Sequence, residues 1–198
     1  MNPTAILSDE HRVIEVVLTA VERLAEEALR EGRLDRESAE KAVDFIRSFA
    51  DKCHHGKEEN HLFAALIENG MTKEGGPVGQ MLYEHDQGRQ FVAGMAGNIE
   101  AASGGDATAV RAFAHNAGGY VELLRAHIQK EDRVLFPMAD RILSGDEQNR
   151  LLEAFGHVES HHMGEGTHAK YLKLAVALAD KYGVPHKIEV KTSCGCHH

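Results

Sequence analysis

Two segments of the chain carry the same pattern of imidazole and carboxylate side chains. Residues 54–63 and residues 127–136 both read H-x-x-K-E-[ED]-x-x-L-F, with a glutamate four positions after the histidine. On an α-helix, side chains four residues apart lie one above the other on the same face. Neutral imidazole together with carboxylate is a ligand set suited to iron, manganese or zinc. The spacing therefore predicts one metal-binding pair in each segment.

A further histidine precedes each segment at a nearly constant distance. His11 lies 43 residues before the first segment and His85 lies 42 residues before the second, and both follow a glutamate. An internal repeat of this kind predicts a duplicated structural unit, here a pair of helices. The metal-ligand candidates are His11, His54, Glu58, His85, His127 and Glu131.

Four helices must position these side chains. Apolar residues recur at intervals of three and four along four stretches, which is the period of one buried helical face. The first helix is predicted at about residues 4–30, with Gly32 as its C-terminal cap, and the second runs from Asp35, its N-terminal cap, to about Asn69. The candidate ligands fall on the apolar stripe in every case.

The third and fourth helices follow a loop at residues 71–77 and are separated by a turn at 103–106 that supplies an N-terminal cap. Pro137 is expected to kink or end the fourth helix. Four helices of about 25 residues with short loops pack most simply as an antiparallel up-down-up-down bundle, with one additional C-terminal helix here. The predicted class is all-α.

The predicted domain organisation has three parts. Residues 1–143 form the metal-binding bundle, residues 144–183 form a helical extension packed on it, and residues 184–198 form a flexible tail. The extension is predicted to break at Gly164-Glu165-Gly166, because glycine disfavours a helix interior. The tail ends in Cys194-Gly195-Cys196-His197-His198, whose role the sequence leaves open.

Composition excludes several classes of protein. The chain has 198 residues and a formal net charge of −9, which argues against nucleic acid as a partner. No apolar run reaches the roughly 20 residues that span a bilayer, and the N-terminus lacks the basic start and apolar stretch of a secretory signal. Three cysteines cannot all pair with one another. We therefore expect a cytoplasmic protein.

The paired H-x-x-x-E motifs with their accompanying lone histidines resemble the hemerythrin-like HHE cation-binding family over residues 1 to about 143. The resemblance implies a four-helix bundle around two non-haem iron ions, with manganese or zinc as alternatives. It implies His11, His54 and Glu58 on one iron, and His85, His127 and Glu131 on the other. The two glutamates would bridge the metals.

The chain departs from the oxygen-carrying members of this family at one position. They have a second histidine one turn after the third-helix ligand, and Arg89 stands there in this chain. Four imidazoles would leave more coordination positions open to small ligands. Side chains that could fill one of them are Glu15, His61, Tyr120 and His168.

Other histidines and charged residues are predicted to lie outside the site. His55, Glu59 and His115 fall off the inner stripe, and Lys57, Lys130 and Asp132 are expected to be solvated, with Asp132 as a candidate hydrogen-bond partner of a ligand. His161, His162 and His168 with Glu159 and Glu165 could form a separate site, although a polar helix face explains them better. A ferritin-like site built on Glu-x-x-His pairs leaves the duplication unexplained, and a bis-histidine haem leaves the buried paired glutamates without a role.

The expected function is binding of, or reaction with, a small ligand such as dioxygen, nitric oxide or hydrogen peroxide. The alternative is iron storage or donation, or repair of iron–sulfur clusters. The sequence leaves open whether the protein is an enzyme, and it leaves a protein partner unidentified, because a fold and a metal do not determine an activity.

Overall fold

The protein is all-helical, as the sequence predicts. The computed structural model describes residues 2–162 and 166–190, without the side chains of residues 161 and 162; 85% of this part is helical and it contains no strand. The α-helices are α1 (Pro3–Glu31), α2 (Arg36–Phe45), α3 (Phe63–Glu68), α4 (Pro77–Ser103), α5 (Ala107–Lys130), α6 (Phe136–Ile142), α7 (Gly145–His157) and α8 (Thr167–Lys181). The antiparallel order of the four main helices stays a prediction.

Four π-helical segments interrupt or extend these helices. They are π1 (Ile46–His55), π2 (Glu58–Leu62), π3 (Glu131–Leu135) and π4 (Val158–His162). Segments π1 and π2 connect α2 to α3 in one unbroken helical run over residues 36–68, and π3 connects α5 to α6 over residues 107–142. The wider turns of a π-helix are rare in proteins overall, and those that do occur are often found at functional sites. Here π1, π2 and π3 overlap the two repeated motifs, and π4 lies in the C-terminal extension.

Local signals explain where the helices begin and end. Gly32 ends α1 in the left-handed conformation with φ 69°, which costs glycine little because it has no Cβ. The Asp35 carboxylate accepts a hydrogen bond from the backbone N–H of Ser38, and Asp106 does the same with Ala109. The fourth run does not end at Pro137, because α6 continues to Ile142, with Pro137 in its first turn directly after the wider turn of π3.

Two clusters of apolar side chains lie on either side of the candidate ligands. Along α1, for example, Leu7 belongs to one cluster, Ile14 belongs to the other, and His11 lies between them. His54, His85 and His127 occupy the same intermediate position on their own helical runs. The polar site is therefore enclosed by apolar packing above and below.

The C-terminal extension packs on both clusters. Leu151 and Phe155 of α7 join the cluster that contains Leu7, and Tyr171 and Leu178 of α8 join the cluster that contains Ile14. Gly166 caps the N-terminus of α8 at φ 79°, so a new helix begins after it, whereas Gly164 and Glu165 of the predicted break lie outside the described residues. The division into three domains stays a prediction, and residues 191–198, with the Cys/His tail, lie outside the described residues.

The helices do not meet the requirement for crossing a bilayer. Within residues 2–162 and 166–190, no helix combines the length and the apolar composition that a membrane span needs. This result agrees with the absence of a long apolar run in the sequence.

Candidate metal centre

Five imidazoles and two carboxylates meet at the centre of the helices, and every one of them is buried. Their ligand atoms fall into two groups, in each of which these atoms lie within 4.8 Å of one another. Group 1 consists of His11, His54, Glu58 and Glu131, and group 2 consists of His55, Glu58, His85 and His127. None of these seven side chains belongs to a residue that is more than 4% exposed. All six sequence-predicted ligands are thus brought together.

The two glutamates lie between the groups. Oε1 of Glu58 is 3.5 Å from Nε2 of His54, and its Oε2 is 3.5 Å from Nε2 of His85. Oε2 of Glu131 is 3.2 Å from Nε2 of His11 and 3.2 Å from Nε2 of His127. Glu58 therefore faces one imidazole of each group through a different oxygen, as a carboxylate between two metals would, and Glu131 faces one imidazole of each group through the same oxygen.

The inner polar atoms lack hydrogen-bond partners. None of the four oxygens of Glu58 and Glu131 accepts a hydrogen bond, and Nε2 of His11 is also unpaired. Burying a polar or charged group without a partner costs several kcal/mol in order of magnitude. Metal cations between these oxygens and imidazole nitrogens would remove that cost, so the donor set fits metal binding.

A second layer of carboxylates holds the outer nitrogens of four imidazoles. The contacts from Nδ1 are His54 to Glu10 at 2.9 Å, His127 to Glu84 at 2.9 Å, His11 to Asp132 at 2.9 Å and His85 to Glu59 at 2.7 Å. A carboxylate can only accept, so Nδ1 carries the hydrogen and donates it. The lone pair of a neutral ring then lies on Nε2, which faces the inner carboxylates.

Basic side chains fix this second layer in turn. Lys57 donates to Glu10 at 2.5 Å, and Lys130 donates to Glu84. Arg12 pairs with Asp132, and Arg89 pairs with Glu59 at 2.6 Å. The complete H-x-x-K-E-[ED] repeat is thus explained, because the lysine of each copy holds the carboxylate partner of a histidine, and the second acidic residue is itself such a partner.

Two sequence predictions about these residues were wrong. Lys57 is fully buried, whereas it was expected to be solvated. Glu59 was expected on the surface, but it is half-buried and accepts a hydrogen bond from His85. The suggested role of Asp132 as a partner of a ligand histidine agrees with its contact to His11. The lysine and the second acidic residue occur in both copies of the motif, and this repetition could have indicated that they belong to the site, since surface residues need not repeat.

Electrostatics in the second layer favour ionised carboxylates. Burial raises the pKa of Glu10, but the hydrogen bonds and charges of His54 and Lys57 outweigh it and lower that pKa to about 2. Burial likewise raises the pKa of Glu84, and the contacts to His127 and Lys130 lower it to about 2. Both carboxylates therefore remain charged and can accept the Nδ1 hydrogen of their histidines over the whole physiological pH range.

The surroundings of the two inner carboxylates, Glu58 and Glu131, shift their pKa values in opposite directions. Burial and the neighbouring Glu131 raise the pKa of Glu58 well above its usual range. Burial also acts on Glu131, but His127 and His11 hold the pKa of that carboxyl well below its usual range. Burial lowers the pKa of His127, yet Glu131 and Glu84 outweigh it and raise that pKa to about 9. These shifts favour a proton on Glu58 and on His127, so the space between the buried carboxylates and imidazoles attracts positive charge, which a metal cation could also supply.

His55 is the ligand candidate that the helical period missed. Its ring is 4% exposed, stacks on the ring of His85 at 3.7 Å between centroids, and belongs to group 2. The prediction that His55 lies on the surface was therefore wrong. An α-helix turns 100° per residue and separates neighbours, but π1 has wider turns that place more consecutive residues on one face. The adjacent pair His54-His55 was the signal.

Arg89 does not take the place of the missing third-helix histidine. Its guanidinium pairs with Asp51 at 2.8 Å, Glu59 at 2.6 Å and Asp86 at 2.9 Å. Through Glu59 it supports a partner of His85. The sequence supplies four candidate imidazoles, and His55 adds a fifth from the second helical run.

A small pocket reaches group 2 from outside. It has a volume of about 120 Å³ and is lined by Ile46, Arg47, Asp51, His55, His85, Gly88, Arg89, Val92 and Tyr120. The Tyr120 side chain is buried in its wall, and burial raises the pKa of this phenol well above its usual range. Two histidines of group 2 line the pocket, and no histidine of group 1 does.

The remaining sequence candidates lie elsewhere. Glu15 pairs with Arg12 at 2.8 Å and belongs to neither group, and His61 packs near Phe155. His168 joins Glu10 and Glu159 in a third group of neighbouring ligand atoms. Nζ of Lys57 already lies 2.5 Å from Glu10 and 2.6 Å from Glu159 in that third group.

The last candidates concern surface positions and the extension. His115 is exposed, as predicted. The side chains of His161 and His162, and Glu165, lie outside the described residues, so the separate extension site that the sequence suggested is not described in full.

Comparison with known proteins agrees with the geometry. The family model of the hemerythrin HHE cation binding domain matches residues 2–139. Three uncharacterized proteins, one from Mycobacterium bovis and two from strains of Mycobacterium tuberculosis, are 26% identical to the chain over 163 residues. The match covers 80% of this chain and 62% of each relative, so the chain spans less than two thirds of their length. No solved structure matches the chain.

Proposed function

The chain belongs to the hemerythrin HHE cation-binding domain family, and we propose that it holds two non-haem iron ions that bind or react with a small ligand such as dioxygen, nitric oxide or hydrogen peroxide. One observation carries this proposal. Two buried carboxylates without hydrogen-bond partners lie between two groups of imidazoles.

The proposed ligands follow from the two groups. The first iron takes His11 and His54, and the second takes His55, His85 and His127. Glu58 and Glu131 bridge the irons, because each faces imidazoles of both groups. This assignment keeps the six residues expected from the sequence and adds His55. It also favours the antiparallel up-down-up-down order of the four helical runs, in which all four inner faces meet.

The protein's own side chains prepare the site for this chemistry. Bound iron supplies an electron-rich centre that can coordinate or reduce a diatomic or peroxide ligand. The carboxylates Glu10, Glu84, Glu59 and Asp132 orient the imidazoles through Nδ1 and keep Nε2 available. Tuning of ligands by such outer partners is general in metalloproteins.

The pocket limits what can reach the site. Its volume is about 120 Å³, which leaves room for a small ligand beside group 2. Sites for drug-sized molecules have roughly 300–1,000 Å³. The side chains of Ile46 and Val92 make part of its wall apolar. A ligand of two to four atoms fits these dimensions, and a larger organic substrate does not.

Burial favours a retained metal over a donated one. All seven proposed ligands are at most 4% exposed, so release of iron would require the helices to open. Rapid donation to an acceptor needs a labile or exposed metal. We therefore rank storage, donation and cluster repair below reaction with a small ligand.

The test combines metal content with a blocked pocket. The chain is loaded anaerobically with ferrous iron, and we expect two irons per chain with Mössbauer signals of two coupled sites. Gly88→Val should retain both irons but slow the reaction with nitric oxide. A Cβ at Gly88 already lies 3.5 Å from the Tyr120 ring, so the added methyl groups narrow the pocket.

Gly97→Val is the matched control, because it lies on the same helix and a Cβ there meets nothing within 4 Å. It should react as fast as the unmodified chain. A chain that binds no iron would refute the metal centre. Equal rates for the two glycine variants would refute the pocket as the route of entry.

A further inference from the structure

Lys57 connects the metal centre to a part of the chain beyond the family match. Its ammonium is fully buried and lies 2.5 Å from Glu10 and 2.6 Å from Glu159. Glu159 belongs to π4 in the extension, whereas the family match ends at residue 139. The aromatic ring of Phe155, also in the extension, is centred 5.8 Å from the same ammonium.

A continuous series of charged contacts leads from Glu159 to a proposed iron ligand. Glu159 accepts from Lys57, Lys57 also donates to Glu10, and the second oxygen of Glu10 accepts from Nδ1 of His54 at 2.9 Å. The Glu159 side chain is 39% exposed, and the groups behind it are buried. The extension thus reaches the group 1 imidazole through two intermediates.

The second copy of the motif lacks this last contact. Lys130 pairs with Glu84, and Glu84 accepts from His127 in the same way. The Lys130 side chain is 42% exposed, and the described residues offer it no second carboxylate. The two copies therefore form an internal comparison. Among the described residues, the lysine of the first copy contacts a carboxylate of the extension, and the lysine of the second copy does not.

A lysine ammonium has three donors and no fixed plane, so one carboxylate leaves it free to turn. Two carboxylates and burial restrict Lys57 to one position, which in turn fixes the Glu10 oxygen that holds His54. Partners outside the ligands commonly set ring orientation and metal affinity. A substitution of Glu159 should therefore change the metal affinity of group 1 and leave that of group 2 unchanged.

We propose that Glu159 is a positioning residue of the metal centre: through Lys57 and Glu10 it orients His54, and so slows release of the iron held by His11 and His54. The proposal rests on the two-iron centre proposed above. It assigns the C-terminal extension a role in retaining one specific metal.

The experiment measures iron release from the full chain into a ferrous chelator. For Glu159→Gln, we expect one of the two irons to leave about 10-fold faster, at the lower limit for outer partners of metal ligands, while the other leaves at the original rate. Mössbauer spectra taken during release should show loss of one of the two iron signals. Glu153→Gln, an exposed carboxylate of α7, is the matched control and should release both irons at the original rates.

A double variant tests the route. Because Glu159 acts through Lys57, Glu159→Gln should have no further effect on release when Lys57→Met is already present. Unchanged release in Glu159→Gln, or equal acceleration of both irons, would overturn the proposal. A chain that binds no iron at all would instead refute the proposed metal centre, so the two failures are distinguishable.

Discussion

The two copies of the repeated motif carry the same chemistry in different surroundings. In the first copy, Lys57 is fully buried beneath the extension and His55 adds a fifth imidazole. In the second copy, Lys130 is 42% exposed, and the position that corresponds to His55 is the apolar residue Ile128. Duplication alone would make two equivalent groups of ligand candidates. The extension and one added histidine make the two groups different.

This comparison shows which residues the two copies share and which residues distinguish them. Glu58 and Glu131 occupy the same position of the motif and are both fully buried, although Glu58 belongs to both groups and Glu131 to group 1 alone. Further differences lie in two neighbouring features, the carboxylate that the extension offers to one lysine and the residue type directly after each histidine. We infer that the shared residues determine metal binding and that the unequal ones determine how each metal behaves.

Removing either inner carboxylate should have the largest effect. Glu58→Ala and Glu131→Ala should each reduce iron content well below two per chain, because each proposed bridge serves both metals. Without metal, Glu58→Ala should be more stable than the metal-free original, since burial and the neighbouring Glu131 disfavour that carboxylate. Glu131→Ala should instead be less stable, because Nε2 of His11 and of His127 would each lose the carboxylate oxygen that lies 3.2 Å away. Iron analysis and thermal unfolding with and without chelator measure both effects.

Glu15→Ala is the control, since Glu15 pairs with Arg12 away from both groups and should keep both irons. Chelation should lower the Tm of this control and of the original chain, because bound metal stabilises the folded state. An inner-carboxylate variant with two irons and an unchanged spectrum would contradict the bridging assignment.

The two lysines should differ strongly in their contribution to the free energy of unfolding. Lys57→Met leaves Glu10 and Glu159 without their shared cation, and breaking a buried pair costs about 3–5 kcal/mol. Lys130→Met should lower the free energy of unfolding by about 1 kcal/mol or less, because the Lys130 side chain is largely exposed to water in its pair with Glu84. Denaturant unfolding of the metal-free proteins measures both values. Equal values would show that the extension does not distinguish the copies.

Replacing the fifth imidazole should make the copies more alike. His55→Ile places in the first copy the residue type found at Ile128, and should weaken binding of the second iron by roughly 10- to 100-fold. The first iron should be held as before, because His55 belongs to group 2 alone. Competition with a chelator measures each affinity. His115→Ile, at an exposed histidine, is the control, and similar losses in both variants would argue against His55 as a ligand.

The smallest effect concerns a second contact between the extension and the first half. Asp35 caps α2 and also pairs with Lys181 of α8, whereas Asp106 caps α5 through Ala109. Burial raises the pKa of Asp35, but the bonds from Lys181 and Ser38 outweigh it and lower that pKa to about 2. The unfolded value is 3.8, so its stabilisation is present above about pH 4 and is lost as the pH falls towards 2.

Asp35→Asn should therefore cost up to about 1 kcal/mol at pH 7 after allowance for exposure, and its cost should vanish near pH 2. Asp106→Asn is the matched control, since asparagine is an equally good cap. Denaturant unfolding of both variants from pH 7 to pH 2 makes the comparison. A cost for Asp35→Asn that does not change with pH would show that the Lys181 pair contributes nothing.

Much of this structure could be predicted from the sequence, for identifiable reasons. Regular apolar spacing and the caps at Gly32, Asp35 and Asp106 located the helices, and the repeat located six buried ligand candidates. His55 was missed because an α-helical period was assumed through π1. The contact from Lys57 to Glu159 joins residues 102 positions apart, and helical periodicity carries no information over such a distance.

The π-helical segments also determine which insertions and deletions the chain can tolerate. Each residue of an α-helix adds a rotation of 100°. A π-helical turn takes up one extra residue, so deleting one residue within π2 or π3 would let the turn close into α-helix while the following apolar residues, such as Leu66 or Ala139, keep their neighbours. We therefore expect the apolar packing beyond each motif to survive such a deletion, and the side chains within the wider turn, Glu58 or Glu131 among them, to be displaced.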